Sequence, residues 1–107
     1  MNAEEFVANW KLEKASLFRT FIGESGQSLV ANKIASMGLS DEQKDQLHSL
    51  LNEVLTDTMY TLLLGLDGST TIGRVQHNYK IFGEDEKLIS AGSDLEAEAW
   101  KQFHGNV

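Results

Sequence analysis

Residues 23–28 include the residue types of a serine nucleophile. In the G-x-S-x-G motif, a strained turn between a strand and a helix exposes a serine side chain. Here Gly23, Ser25 and Gly26 have the spacing G-x-S-G, no strand pattern precedes them, and no His–Asp pair is identifiable. We therefore interpret the segment as an interhelical turn in which Ser25 or Ser28 caps the next helix.

The loop after residue 65 has the beginning of a calcium-binding pattern, because Asp67, Ser69 and Thr71 occupy alternate positions. A calcium loop needs glycine at its sixth position and a bidentate glutamate at its twelfth. This chain has Ile72 and Asn78 at those positions. The loop also lacks the Gly-Lys-Ser/Thr ending that a phosphate-binding loop requires. We therefore predict a polar turn without a metal, whose hydrogen-bond donors could hold an anion.

Acid–base chemistry has two histidine candidates and one pair of carboxylates. His48 follows Asp45 by three residues, which allows an ion pair or two metal ligands, but no second such pair completes a site. His77 lies on the apolar side of a strand pattern, and we interpret it as a core histidine bonded to a carbonyl group. Glu53 and Asp57 are adjacent on one helix instead of opposed across a cleft. We predict no catalytic residues, no metal site and no cofactor.

Composition and charge exclude further classes of function. The chain has no cysteine, so disulfides, thiolate catalysis and cysteine-ligated metals are excluded. The formal net charge of −7 repels nucleic acid and anionic membranes and speeds association with a basic partner. Neither a secretory signal nor an apolar run of the roughly 20 residues that cross a bilayer is visible. We expect a cytoplasmic protein that binds neither nucleic acid nor membranes.

The elements that position these residues are organised around residues 40–68, which have the pattern of one long helix. Ser40 and Gln43 have the spacing of a capping box, and apolar residues recur from Leu47 at helical steps. In the second half the apolar surface extends almost around the axis, so the rest of the domain or a second copy must cover it. A buried strand over residues 59–66 is the alternative, and the unbroken helical period favours the helix.

Two helices are predicted before this central helix, at residues 3–22 and 27–37. Asn2 and Glu5 have capping-box spacing at the start of the first. Gly38 suits the left-handed end of the second, which makes a tight corner with the central helix. The residues of the second helix expected to face inward are Leu29, Val30, Ile34 and Met37.

A last helix is predicted at residues 93–103, with Ser93 and Glu96 as its capping box and Gly105 as its stop. We expect this helix to cover the exposed side of the central helix. Its apolar stripe consists of Leu95, Ala99, Trp100 and Phe103.

Between the central and last helices, the hydrophobic period changes from 3.6 to 2. Residues 74–82 alternate apolar and polar side chains, and a turn at residues 83–86 leads to a second short strand at residues 87–90, which predicts a β-hairpin. The wet face of the first strand is the one locally cationic, amide-rich strip of the sequence, and we predict that it contacts a partner. It consists of Arg74, Gln76, Asn78 and Lys80.

These patterns predict a mostly helical α+β fold in one domain over residues 1–107, with three N-terminal helices, a β-hairpin and a C-terminal helix. We expect a non-enzymatic protein-interaction module, of the inhibitor or immunity-protein kind or self-associating as a homodimer, with a basic protein as the heterologous partner. The predicted contacts are Tyr60, Leu64, Glu53 and Asp57, together with the cationic strip. The alternative is a small-ligand-binding protein or an unrecognised enzyme that uses residues 65–79.

Overall fold

The computed structural model describes residues 1–90 and 94–105. Within these ranges the regular structure is four α-helices, namely α1 (Ala3–Phe21), α2 (Leu29–Ser36), α3 (Asp41–Leu66) and α4 (Asp94–Phe103). The same ranges contain no strand, and their β-type pairing is limited to two isolated antiparallel bridges, Ile72 with Val75 and Phe82 with Leu88. The fold is therefore all-helical, and the predicted α+β class is wrong.

The predicted hairpin is reduced to one antiparallel bridge, Phe82 with Leu88, next to its turn. There the Ile89 N–H donates to the Ile81 carbonyl oxygen at 2.7 Å and the Gly83 N–H donates to the Lys87 carbonyl oxygen at 3.0 Å. A strand needs a row of backbone partners. Here the Gln76 Nε2 donates to the carbonyl oxygen of Gly68 at 2.8 Å, and the Ile81 N–H donates to the Ser90 Oγ at 3.0 Å. Alternation of apolar and polar side chains is therefore present without the pairing that would make it a strand.

The turn at residues 83–86 is present, although it does not join two strands. The Glu86 N–H donates to the Gly83 carbonyl oxygen at 3.0 Å, and the Lys87 N–H donates to the Asp85 Oδ1 at 3.1 Å. Glu86 has a φ of 65°, a left-handed conformation that is sterically unfavourable for a residue with a side chain. This turn therefore keeps strain at an exposed position.

The central helix α3 is continuous over 26 residues, so the buried-strand alternative for residues 59–66 is wrong. Its capping box is formed as predicted. The Ser40 N–H donates to the Gln43 Oε1 at 2.9 Å, and the Gln43 N–H donates to the Ser40 Oγ at 3.2 Å. The acidic Asp41 and Glu42 occupy the first turn, where the helix dipole favours negative charge.

The ends of the first two helices also follow from local sequence signals. The Asn2 Oδ1 accepts the Glu5 N–H at 2.9 Å and caps α1. The Ser28 Oγ accepts the Ala31 N–H at 2.9 Å, so Ser28 caps α2. After α2 the chain turns at Gly38, which has the left-handed φ of 63° that glycine adopts readily.

The contacts of the chain group it into two units, the first comprising Met1–Lys11 with Thr58–Val107 and the second Leu12–Asp57. The first unit has a closed core of side chains that are at most 8% exposed, Ala3, Val7, Leu63, Leu95 and Ala99. In the second unit Leu55 is the one buried side chain. The buried core therefore lies in the first unit, while large apolar side chains are exposed in both units.

Both ends of α4 are bonded to residues far away in sequence. The Asp67 Oδ2 accepts the Glu96 N–H at 3.1 Å, and the Gln102 Nε2 donates to the Glu4 carbonyl oxygen at 3.0 Å. The predicted cap Ser93 lies outside the described residues. None of the helices in the described ranges combines the length and apolar character that crossing a bilayer requires.

Candidate functional site

An open apolar groove runs between α2 and α3 in the second unit. Its volume is about 320 Å³. Leu29 is 88% exposed and Met37 is 54% exposed. The residues that line this α2–α3 groove are Leu29, Val30, Lys33, Ile34, Met37, Leu47 and Leu51.

The α2 wall of the groove is a short helix without a buried residue. The helix has eight residues, which corresponds to a length of about 12 Å. Leu29, Lys33 and Met37 are four residues apart and therefore lie on one face of the helix. The prediction that Leu29 and Met37 are inward-facing core residues is wrong, because this face lines an open depression.

Two exposed carboxylates lie on α3 beyond the residues that line the groove. Leu50 and Val54, which are 54% and 48% exposed, continue the apolar face of Leu47 along the helix. Glu53 follows Leu50 by three residues and Asp57 follows Val54 by three, so each carboxylate lies beside an exposed apolar side chain. Both carboxylates are exposed, which places these two predicted contact residues on the rim of an apolar surface.

Tyr60 and Leu64, the other predicted contacts on α3, belong to the first unit and are half-buried. Tyr60 packs against the core, and its ring meets the His104 ring edge-on with centroids 4.6 Å apart. These residues contribute less exposed apolar surface than Leu50 and Val54 do. The sequence pattern places all four residues on the central helix. Their different exposure is visible only in the structure.

An aromatic depression of about 500 Å³ lies in the first unit, between α3 and α4. It is lined by Tyr60, Glu96, Ala97 and Trp100. Trp100 was predicted to be part of the apolar stripe of the last helix and is 57% exposed, so that interpretation is wrong. Leu95 and Ala99 already fill the core there, and Trp100 is rotated about 100° from Ala99. The stripe therefore contains more apolar residues than the core can bury. That excess is the feature of the sequence that could have indicated an exposed Trp100.

The predicted cationic strip is not a continuous face. Arg74 and Lys80 are exposed, whereas Gln76 bonds back to Gly68 and the Asn78 side chain occupies the space where a Gly68 side chain would be. A strand would have presented all four side chains on one side. The two amide side chains therefore lie against Gly68.

His77 is exposed and lies edge-on to Tyr79, with ring centroids 5.2 Å apart. The prediction of a core histidine is wrong, because the strand that would have turned it inward does not form. His48 is half-buried and lies edge-on to Phe18 at 6.3 Å. With Lys44 it lines a third cavity, of about 360 Å³, whose other lining residues are mostly apolar.

Asp67 and Ser69 fix the loop after α3 to the start of α4. The Ser69 Oγ donates to the Glu96 Oε2 at 2.7 Å, and the Asp67 carboxylate accepts the Glu96 N–H. Burial raises the pKa of Asp67, and the nearby charges of Glu96 and Asp94 raise it further against the opposing backbone hydrogen bonds. Within the described residues, no cluster of three or more histidine and acidic side chains has the arrangement of a metal site.

Comparisons with protein-family models, with curated proteins and with solved structures found no match. Two of the surface depressions formed by the described residues differ in chemistry. The α2–α3 groove is apolar with Lys33 as the charged residue of its lining, and the aromatic depression combines two rings with a carboxylate. Neither depression contains an arrangement of nucleophile and base.

Proposed function

We propose that this chain is a non-enzymatic protein-interaction module, and that its α2–α3 groove binds an amphipathic helix with basic side chains along one edge. The observation that carries the proposal is the 88% exposure of Leu29 at the border of an apolar groove. Large apolar side chains gathered in one exposed patch favour association with a partner. A single exposed leucine would need no such explanation.

The shape of the groove favours a helical partner. Two helices form its walls, and α2 is about 12 Å long, which matches about two turns of a bound helix. A helix laid into such a groove uses apolar anchors at positions i, i+3 or i+4, and i+7. Leu29, Met37 and Leu47 would contact these anchors.

Charge favours a basic partner over a second copy of the chain. Residues 12–57 contain seven acidic and four basic side chains, and Glu53 and Asp57 lie beside the exposed Leu50 and Val54. Two copies with a net charge of −7 each repel one another, most strongly at low salt. A helix with lysine or arginine beside its apolar anchors pairs with Glu53 and Asp57 instead.

The alternative that uses residues 65–79 is weaker, because much of that loop is bonded within the chain. Asp67 and Ser69 are bonded to Glu96, and Gln76 is bonded to Gly68. Those groups would have to leave their partners before they could bind a ligand.

The test uses two synthetic amphipathic peptides with the same apolar face, one with a basic edge and one with an acidic edge. Fluorescence anisotropy measures the affinity of each for the wild-type chain and for Leu29→Asp. The matched control is Leu12→Asp, because Leu12 is 68% exposed and does not line the groove. We expect the basic peptide to bind more tightly, and Leu29→Asp to weaken its binding at least about tenfold, with Leu12→Asp unchanged.

Equal affinity for both peptides would overturn the proposal, as would unchanged binding by Leu29→Asp. Sedimentation of the chain alone decides between a partner and a second copy. A dimer that dissociates in Leu29→Asp and persists in Leu12→Asp would replace the basic helix with self-association as the occupant of the groove.

A further inference from the structure

We infer that the aromatic depression of the first unit binds an organic cation, an alkylated ammonium or a guanidinium group, between Trp100, Tyr60 and Glu96. This site is separate from the α2–α3 groove and shares no residue with it. The inference rests on the chemistry of the three side chains, on the contacts that hold them, and on the charge of α4.

The lining combines the two features that recognise an organic cation. Cations are attracted to the faces of aromatic rings, most strongly to tryptophan, and Trp100 is 57% exposed. The Tyr60 and Trp100 ring centroids are 6.3 Å apart with an angle of 60° between the planes. Glu96 lines the same depression and provides the countercharge.

Neighbouring contacts hold these side chains before a ligand arrives. The His104 ring lies 4.6 Å from Tyr60 and 5.3 Å from Trp100, measured between centroids, so it packs against both rings. The Glu96 Oε2 accepts the Ser69 hydroxyl at 2.7 Å, which fixes the carboxylate. A site held in this way loses little conformational entropy on binding.

The charge of α4 selects a cation over a neutral or anionic ligand. Asp94, Glu96 and Glu98 are three of its ten residues, and Lys101 is its one basic residue. The depression is open to solvent, and its volume of about 500 Å³ admits an alkylated ammonium group together with the chain that bears it. A bare metal ion would find one carboxylate there, fewer than the oxygen ligands that such ions take.

The same chemistry is found in a free quaternary amine and in a methylated lysine of a protein. Four probes distinguish these two sources and test whether the site recognises positive charge or apolar shape. They are tetramethylammonium, a short peptide with trimethyllysine, the same peptide with unmodified lysine, and the same peptide with a neutral tert-butyl isostere. Binding is followed by NMR through the indole N–H of Trp100, with the indole of Trp10 as an internal reference.

We expect the trimethyllysine peptide to shift the Trp100 signal and to bind about 5- to 30-fold more tightly than its neutral isostere, the range that cation–π attraction supplies. Trp100→Ala should abolish binding and Trp100→Phe should weaken it, and helix content by circular dichroism confirms that each variant is folded. Glu96→Gln keeps an acceptor for Ser69 and should weaken binding severalfold. Glu98→Gln removes the same charge outside the lining and should leave binding within about twofold.

Equal binding of the neutral isostere would overturn the inference, because the site would then recognise apolar shape alone. Absence of a Trp100 shift with every cation, or unchanged binding by Trp100→Ala, would also overturn it. If tetramethylammonium binds as tightly as the peptide, the ligand is a free amine; if the peptide binds at least tenfold more tightly, the ligand is a side chain of a protein. Failure of the groove proposal leaves this result unchanged, because Leu29→Asp alters no residue of the depression.

Discussion

The Asp67 carboxylate accepts the backbone N–H of Glu96 at 3.1 Å and thereby caps α4 from 29 positions earlier in the chain. The first N–H groups of a helix have no partner within the helix, and here the preceding helix and its turn provide one. We expect Asp67→Ala to lower the free energy of unfolding by about 1 kcal/mol, measured by urea denaturation. Asp67→Asn keeps an acceptor oxygen and should retain the cap. A loss of equal size in both variants would contradict this role.

The pKa of Asp67 leads to a prediction about pH. Because burial, together with Glu96 and Asp94, raises this pKa above 3.8, the folded chain binds the proton more tightly than the unfolded chain does. The stabilisation from the bound proton is complete below the unfolded pKa and is lost as pH rises through the folded pKa. Wild type should therefore gain stability relative to Asp67→Asn as pH falls from 7 towards 4. Chemical denaturation at both ends of this range measures the difference, and a constant difference would contradict the prediction.

The same substitution at Leu63 and at Leu29 compares a buried leucine of the first unit with an exposed leucine of the second. Leu63 is fully buried and Leu29 is 88% exposed. We expect Leu63→Ala to lower the free energy of unfolding by about 2–5 kcal/mol, because it leaves a cavity in the core. Leu29→Ala should change it by less than about 0.5 kcal/mol. A large loss in Leu29→Ala, measured in the same urea titration, would show that the groove is closed in the free chain.

Glu86 offers a stabilising change. Its φ of 65° is unfavourable for a side-chain-bearing residue and ordinary for glycine. We expect Glu86→Gly to raise the free energy of unfolding by about 0.5–1 kcal/mol, the strain relieved less the added entropy of the unfolded chain. The control Glu84→Gly adds the same entropy to the unfolded chain but relieves no left-handed backbone strain. It should therefore lower the free energy of unfolding. Thermal denaturation compares the two, and equal effects would contradict the argument.

Sequence patterns located the helix ends because capping is local. Ser40 with Gln43, Asn2 with Glu5, and Gly38 each act within a few residues of their own position, so their types and spacing were sufficient. The helical period from Leu47 was likewise enough to predict a helix through residues 59–66. Each of these features depends on neighbours in the sequence, which a single chain displays in full.

Features that depend on distant contacts were missed. A period of two at residues 74–82 could not show that pairing with residues 87–89 would stop at a single bridge. The predicted strand led in turn to the wrong expectation that His77 is buried. Local spacing offered Ser93 as the cap of α4, but it gave no indication that Asp67 would bond the same helix. Trp100 fitted a stripe of period 3.6, and only the packing of Leu95 and Ala99 shows that the core had no room for it.

The first unit is formed by two separate segments of the chain, and this separation affects the order of folding. Its core combines Ala3 and Val7 of α1 with Leu95 and Ala99 of α4, and the Gln102 side chain reaches the Glu4 backbone across 98 positions. Contacts between such distant residues require a large loop to close first, which slows folding. During synthesis, this core can be completed only after α4 has left the ribosome, whereas residues 12–57 are made as one continuous stretch. The nascent chain therefore exposes part of its future core until residues 94–103 have emerged.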